Sequence, residues 1–211
     1  MSDPAVMARS YSVVLERTIQ ELNGTPCQEL LGEDPTRQQI IYSRGFSKEV
    51  ESLEEMRQAV SNYAETAAER LRAHKLSVKN ITVFTNTNRF KNPGVYYNEA
   101  SCRLDVATND TRQIVHSALS CLESIWVEGH KYVKTGIILR DLSDGAEQDD
   151  LFTESQTEAS LKLMSVIDKI NRRYGHVINL AAQGKDKDWS MKREKLSPSY
   201  TTKWADILRV D

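Results

Sequence analysis

The chain has 211 residues, 39% of them hydrophobic and 27% charged, which is enough to bury one sizeable core and a small second unit. It contains no run of 18 apolar residues and no signal-peptide pattern, which argues against a membrane-spanning or exported protein and favours a soluble, cytoplasmic one. The net charge of -2 is unevenly distributed. Residues 1–35 carry six acidic and two basic residues, whereas residues 157–211 carry seven acidic and eleven basic residues.

Apolar positions within residues 10–23 recur at helical spacing, and the pattern stops at Gly24. We predict one short helix there, without a companion helix. A helix of that length is marginal on its own in water, which is typical of the last piece of a larger unit. Residues 25–37 contain Pro26 and Pro35 and are predicted to form a linker.

Residues 38–143 show the sharpest periodicity in the chain. The predicted elements are a strand at 39–46, a helix at 52–74, strands at 78–87 and 96–106, a helix at 110–125 and a strand at 133–139. Ser52 with Glu55 forms a predicted capping box, and Asp110 is the predicted cap of the second helix. This order favours an α+β fold with two helices packed on one face of a four-stranded, mainly antiparallel sheet.

The tail is predicted to begin with an amphipathic helix over residues 157–174 that Gly175 ends, followed by a short strand at 177–182. The aromatic residues of the remaining tail that bear on its packing are Trp189, Tyr200 and Trp204. They form either a small core of their own or an exposed patch that binds a partner. We favour the core, because three large exposed aromatic side chains would promote aggregation.

The sequence shows no catalytic constellation. The histidines have no metal-ligand spacing to one another or to a cysteine or carboxylate; they are His74, His116, His130 and His176. No glycine-rich phosphate loop is present. Cys27, Cys102 and Cys121 are scattered, which is typical of packing thiols in a reducing compartment. We therefore predict a non-catalytic module without a metal site.

A set of polar and basic residues gathers at predicted strand ends and turns, where side chains and backbone N–H groups can reach phosphates without reading bases. The candidate DNA-binding residues are Ser43, Arg44, Gly45, Ser47, Lys48, Thr85, Thr87, Asn88, Arg89, Lys131, Lys134 and Thr135. Taken alone, polar turns are common on any protein surface, so this pattern by itself is a weak indication of DNA binding.

An acidic loop separates this segment from the tail. Residues 141–158 contain seven carboxylates and no lysine or arginine, yet they include the pair Leu151 and Phe152. This pair either folds back onto its own domain or enters a pocket on a partner, with the Gln148 amide three residues ahead of it. The predicted organisation is four segments: 1–36, 37–143, 144–156 and 157–211.

Several short motifs occur together along the chain. They are SVVLERT at 12–18, SRGF at 43–46, MRQAV at 56–60, DTR at 110–112, IWV at 125–127, KTG at 134–136 and WSMKREKLSPSYTTKW at 189–204. In combination they resemble the UmuC family, the catalytic subunits of the bacterial SOS translesion polymerase V within the Y family. The resemblance covers residues 10–208, and the last motif is the most specific.

The resemblance implies a role for each segment. Residues 1–36 would be the end of the thumb, and residues 37–143 the little finger, which grips primer–template DNA in the major groove through its phosphates. Gln148, Leu151 and Phe152 would form the peptide that binds the sliding clamp. Residues 157–211 would dock the processed UmuD dimer, in a complex that the RecA filament activates. Candidate partner contacts there are Trp189, Lys192, Arg193, Tyr200 and Trp204.

The resemblance also implies what this segment lacks. The palm and fingers of the family, with the carboxylates that hold two magnesium ions, would precede residue 10. We therefore expect no cofactor in this chain and no polymerase activity from it. Two other interpretations stay open: a purely protein-docking module with little DNA contact, and an enzyme with an unrecognised site.

Overall fold

The structure is a computed structural model that describes residues 4–27, 37–88, 96–144, 157–185, 187–192 and 196–207. The chain divides into two compact units, Met1–Thr36 and Arg37–Asp211. In the ranges described, no helix combines the length and the apolar character that crossing a membrane requires.

The described part of the first unit contains two helices, α1 (Pro4–Ser10) and α2 (Val13–Leu22). Ser12 caps α2, because its hydroxyl accepts a 3.2 Å hydrogen bond from the backbone N–H of Leu15. The prediction of one helix without a companion is wrong. Pro4 begins the extra helix, a position that suits its fixed φ angle. None of the α2 residues is buried, so the apolar stripe predicted for this helix remains exposed in the described structure.

The second unit contains every strand and helix predicted for residues 38–143. Its strands are β1 (Gln39–Val50), β2 (Ser77–Thr87), β3 (Tyr97–Thr108) and β4 (Tyr132–Ser143). The α-helices described in it are α3 (Leu53–Ala73), α4 (Thr111–Ile125) and α5 (Glu158–Tyr174). Both β1 and β4 extend several residues beyond the predicted limits.

The strands form one sheet in the order β1-β4-β2-β3, and all three pairings are antiparallel. The chain passes from β3 through α4 and returns to the middle of the sheet as β4. Consequently β1 is an edge strand whose described pairing is with β4 alone. This arrangement confirms the predicted α+β fold with an antiparallel sheet.

Helices α3 and α4 pack against each other and against the strands, and the hydrophobic core lies between them and the sheet. Alternate strand residues point into this core because successive side chains in a strand face opposite sides. The fully or almost fully buried residues that define it include Ile40, Ile81, Val83, Ile137 and Leu139 of the strands, and Val60, Leu71, Ile114 and Leu122 of the helices.

The two predicted helix caps behave differently. The Asp110 carboxylate accepts a 2.8 Å hydrogen bond from the backbone N–H of Arg112, as predicted. Burial pushes the pKa of Asp110 upward, but hydrogen bonds from Arg112 and Ser160 outweigh it and leave the pKa below its ordinary value. The capping box at Ser52 is wrong, because the Ser52 side chain makes no cap hydrogen bond and Glu55 instead pairs with Lys48 at 2.8 Å.

Helix α5 begins where it was predicted, and Thr157 caps it, because its hydroxyl accepts a hydrogen bond from the backbone N–H of Ser160. It ends at Gly175, whose φ of 82° lies in the left-handed region that favours glycine. The strand predicted at 177–182 is wrong. The Asn171 side-chain amide bonds both the N–H and the C=O of Ile178 at 2.8 Å, so a side chain takes the place of a partner strand.

Within the second unit, the tail packs on the sheet and its helices through polar contacts that link α5 to α3 and α4. Arg72 donates two hydrogen bonds of 2.7 Å to the Asp168 carboxylate, and these side chains are only 10% and 18% exposed. The Ser160 hydroxyl bonds Asp110 at 2.5 Å. Because ion pairs this buried tolerate little separation, they hold α5 in a fixed position on the domain.

Trp189 belongs to the domain core. It is 2% exposed and makes edge-to-face contacts with Phe46 and Tyr63, at centroid distances of 6.2 and 5.9 Å. Trp204, in contrast, is 91% exposed, and Tyr200 is also exposed. The prediction that the three aromatic residues form a core of their own is therefore wrong, because one of them fills a gap in the main core instead.

Candidate nucleic-acid interface

The sheet has a second face, opposite the helices, which we call the open face. Strand alternation and the pairing register assign its residues. They are Gln39, Ile41, Ser43 and Gly45 of β1, Lys134, Gly136, Ile138 and Arg140 of β4, Asn80, Thr82, Phe84 and Asn86 of β2, and Tyr97, Glu99, Ser101 and Arg103 of β3. Tyr97 is 57% exposed, so part of this face is accessible to solvent in the described structure.

Two stacked aromatic rings occupy the centre of the open face. The Phe84 and Tyr97 rings lie 6.3 Å apart at 30°, and the Lys134 amine lies 5.9 Å from the Phe84 centroid. The absence of a side chain at Gly136 leaves room for this stacked pair, because a Cβ added at Gly136 would come within 2.4 Å of the Ser43 Cβ and 2.6 Å of the Phe84 ring. The missing side chain lets Phe84 lie across β4.

The paired part of the open face carries more positive than negative charge. Its basic residues are Lys134, Arg103 and Arg140, and its carboxylate is Glu99. The Tyr97 hydroxyl donates a 2.7 Å hydrogen bond to Glu99, and this bond raises the pKa of Tyr97. A mildly basic, flat surface with hydroxyl and amide groups is suited to contact phosphates.

Comparison with known families decides what kind of chain this is. Residues 37–151, more than half of the chain, match the impB/mucB/samB family C-terminal domain. The chain belongs to the impB/mucB/samB family. Residues 161–210 match a domain of unknown function, DUF4113. The family match covers the sheet and its helices, and the second match covers most of α5 and the tail.

Individual members of the impB/mucB/samB family are similar over nearly the whole chain. Protein UmuC of Salmonella typhimurium is 44% identical over 209 residues, covering 97% of this chain and 50% of its own length. Protein SamB of Salmonella typhimurium is 45% identical, covering 98% of this chain and 49% of its own length. Protein MucB of Escherichia coli is 41% identical, and it also covers 98% of this chain and 49% of its own length. The chain thus spans about half the length of these relatives.

The open face of this impB/mucB/samB-family domain brings together Ser43, Gly45 and Lys134 of the predicted DNA-binding residues. Lys48 and Lys131 lie near one end of the sheet, where each forms a surface ion pair, with Glu55 at 2.8 Å and with Glu51 at 2.9 Å. Such exposed pairs are weak, so both lysines could exchange their carboxylate for a phosphate.

Three of the predicted DNA-binding residues have buried side chains, which does not favour their predicted contacts with phosphates. Thr85, Thr87 and Thr135 are at most 4% exposed. The Thr135 hydroxyl donates to the carbonyl of Phe84 at 2.8 Å, and the Thr87 hydroxyl accepts from the Tyr96 N–H at 3.0 Å. A polar residue near a strand end can face either side of the sheet, and the sequence alone did not fix which side.

The remaining predicted DNA-binding residues lie elsewhere. The side chain of Arg44 lies on the helix side of β1, over the Tyr42 ring. The Ser47 hydroxyl donates to the carbonyl of Asp188 at 2.8 Å. Asn88 is half-buried just after β2, and Arg89 lies outside the described residues.

Sequence reasoning missed Tyr97, Arg103 and Arg140, which share the open face with Lys134. Each occupies an alternate position in a strand rather than a turn. The alternation in β3, exposed at every second residue, was a usable signal. Its assignment to the same face as Lys134 required the strand order and register.

The predicted docking residues are only partly described. Gln148, Leu151, Phe152 and Arg193 lie outside the described residues. Lys192, Tyr200 and Trp204 are exposed and remain available to a partner. Trp189 is buried, which does not favour its predicted contact with a partner, and that contact stays a prediction.

Proposed function

We propose that this chain is the DNA-binding and docking portion of an error-prone translesion DNA polymerase of the SOS response. The observation that carries the proposal is the open face, on which Lys134, Arg103 and Arg140 surround a stacked aromatic centre. Membership of the impB/mucB/samB family and similarity to protein UmuC support the same function.

The dimensions of the sheet favour contact with phosphates over recognition of bases. Four strands at about 4.8 Å spacing span roughly 14 Å, whereas the major groove of DNA is about 12 Å wide. The open face would therefore lie across the groove and touch phosphates on both sides of it. Binding of this kind is independent of sequence, which suits a polymerase that must follow any template.

Replacement of Lys134 and Arg140 by glutamine is expected to weaken binding to a primer–template duplex about three- to tenfold. Because each lost phosphate contact reduces the slope of log K against log salt by about 0.9, the slope should become shallower by nearly 2. Fluorescence anisotropy with a labelled duplex measures both quantities. The control is Lys162→Gln with Lys169→Gln on α5, which removes the same charge from another surface. Equal effects of the two variants would contradict the assigned surface.

We propose that Gln148, Leu151 and Phe152 form a peptide that binds the sliding clamp. The acidic, otherwise polar loop leaves this apolar pair without local apolar neighbours in sequence, which supports the proposal. The processed UmuD dimer and the RecA filament are further proposed partners of the tail, whose exposed Lys192, Tyr200 and Trp204 supply candidate contacts.

We also propose that the chain does not itself catalyse nucleotidyl transfer. The resemblance assigns the magnesium-binding carboxylates to the palm, which is a different domain of the family's proteins from those that this chain resembles. A primer-extension assay with this chain, magnesium and deoxynucleotides is expected to yield no extended product. Extension that survives repeated purification would contradict this and indicate an unrecognised site.

A second candidate function is a purely protein-docking module. Helix α5 favours it, because Leu163, Val166 and Tyr174 are 42–61% exposed at spacings of three and eight residues, beside basic side chains. This function predicts that the chain binds its protein partners but shows no salt-dependent affinity for primer–template DNA.

A further inference from the structure

A second basic surface lies on the helix side of the edge strand β1. Arg44 of β1 and Arg70 of α3 place their guanidinium carbons 4.8 and 4.9 Å from the centroid of the Tyr42 ring. Among the described residues, neither guanidinium pairs with a carboxylate within 4.0 Å. The two cations share the Tyr42 ring. One Arg44 N–H donates to the carbonyl of Ser43 at 3.0 Å, and the other guanidinium donors of the pair remain for an anionic ligand.

These side chains line a cleft with a volume of about 410 Å³, which we call the edge cleft. Its other wall is the tail segment from Trp189 to Met191, and no carboxylate is present among its described lining residues. Beyond Ser190 and Met191 the cleft continues into a second depression, lined by Lys48, Lys187 and Lys192 with Asp188 as its carboxylate. Positive charge therefore prevails from the edge cleft to this second depression, whereas the depression on the other side of Arg70 contains Glu65 and Glu69.

Trp189 forms part of the wall of the edge cleft. The side chain is only 2% exposed, and its ring packs against Phe46 and Tyr63. The wall is therefore part of the packed core that holds the tail against β1.

We propose that the edge cleft binds a single strand of DNA that continues from the duplex on the open face. This inference rests on the proposed function, since it extends the same nucleic acid. The geometry of β1 connects the two surfaces: Ser43 and Gly45 lie on the open face, and Arg44 between them lies on the cleft side. Because β1 is the edge of the sheet, a strand leaving the open face reaches the cleft by passing around this one β-strand.

The charge and size of the cleft favour single-stranded nucleic acid over a duplex. Proteins that bind single strands use a basic groove that follows the backbone, and Arg44 and Arg70 supply the positive charge here. A volume of about 410 Å³ is that of a small-molecule pocket, which accommodates a short stretch of single strand but not a duplex. An acidic peptide would satisfy the charges as well, but it would not continue from a duplex on the open face.

The test compares binding of the full 211-residue chain to a labelled twelve-nucleotide oligothymidylate and to a blunt duplex of twenty base pairs. Arg44→Gln with Arg70→Gln is expected to weaken oligothymidylate binding about tenfold and to reduce its salt slope by about 1.4, at about 0.7 per phosphate contact. Duplex binding should change less than twofold.

Two further variants make the result specific. Lys134→Gln with Arg140→Gln should weaken duplex binding and leave oligothymidylate binding within twofold. Arg44→Lys with Arg70→Lys keeps the charge and loses the forked donors, so it tests the cleft even if the glutamine variant fails to fold. An intermediate, about threefold loss for oligothymidylate supports the proposal.

Several results would overturn the inference. One is an equal loss of duplex and oligothymidylate binding in the cleft variants, and another is no loss in either. A third is competition by polyglutamate for a site that oligothymidylate does not occupy, which would make the cleft an acidic-peptide site. If the chain bound no duplex but lost oligothymidylate binding in the cleft variants, the proposed function would be contradicted. Binding of a single strand in the edge cleft would still be supported.

Discussion

Replacement of Trp189 by alanine is expected to destabilise the second unit by about 3–5 kcal/mol, the usual cost of removing a large buried aromatic side chain. Trp189 is 2% exposed and contacts Phe46 and Tyr63. Its backbone carbonyl also accepts a 3.0 Å hydrogen bond from the Ser47 N–H, so the tail adds its own link to β1. For a unit of this size the melting temperature should fall by roughly 6–20 °C.

The matched control is Trp204→Ala, which removes an equally large side chain that is 91% exposed. Its effect on the free energy of unfolding should stay within about 0.5 kcal/mol. Calorimetry or thermal circular dichroism measures both variants. If Trp189→Ala melted at the same temperature as Trp204→Ala, the tail would not complete the core of the sheet domain in solution.

The Leu151→Ala, Phe152→Ala double variant is expected to lose binding to a bacterial sliding clamp by about 30-fold or more. Truncation of one hot-spot anchor of an interface costs about 2 kcal/mol, and because 1.4 kcal/mol corresponds to tenfold in affinity, the loss of a single anchor already gives about 30-fold. Surface plasmon resonance with immobilised clamp measures the change. Helicity and melting temperature should be unaffected, since the pair is proposed to be a ligand for another protein.

Leu163→Ala with Val166→Ala is the control, because it removes a comparable exposed apolar pair from α5. Its clamp affinity should remain within twofold of the unaltered chain. Equal clamp binding by all three proteins would show that another surface docks, and an absence of binding by all three would contradict a clamp site in the loop. Loss of binding only in the loop variant fits the proposed peptide.

The sequence predicted the fold of residues 38–143 because local signals there agree with one another. Periodicity of 2 marks the strands, periodicity near 3.6 marks α3 and α4, and Asp110 marks a helix start. A local sequence pattern failed where one residue had two possible partners. Glu55 could complete a capping box with Ser52 or pair with Lys48, and it pairs with Lys48.

The candidate site was less predictable, because membership of the open face depends on register. Thr135 and Lys134 are adjacent in sequence, yet one is buried in the core and the other faces outward. Only the pairing of β4 with β1 and β2 decides which of the two residues faces the core. For the same reason the sequence did not predict that Arg103 and Arg140, which belong to different strands, lie on one face.

The tail shows a second limit of local reasoning. Trp189 and Trp204 occur in one motif and have similar polar neighbours in sequence. Their difference in burial follows from contacts between residues more than a hundred positions apart, such as the bond from the Ser47 hydroxyl to Asp188. Long-range packing of this kind leaves no periodic trace in the sequence.

The central claim is that the open face binds DNA through phosphates, and the most direct measurement is the affinity of the unaltered chain for a primer–template duplex between 50 and 200 mM salt. Three basic residues on the face predict that log K falls linearly with log salt with a slope of about −3. A slope near zero, or no binding by a chain that still binds its protein partners, would contradict the claim and favour the docking module.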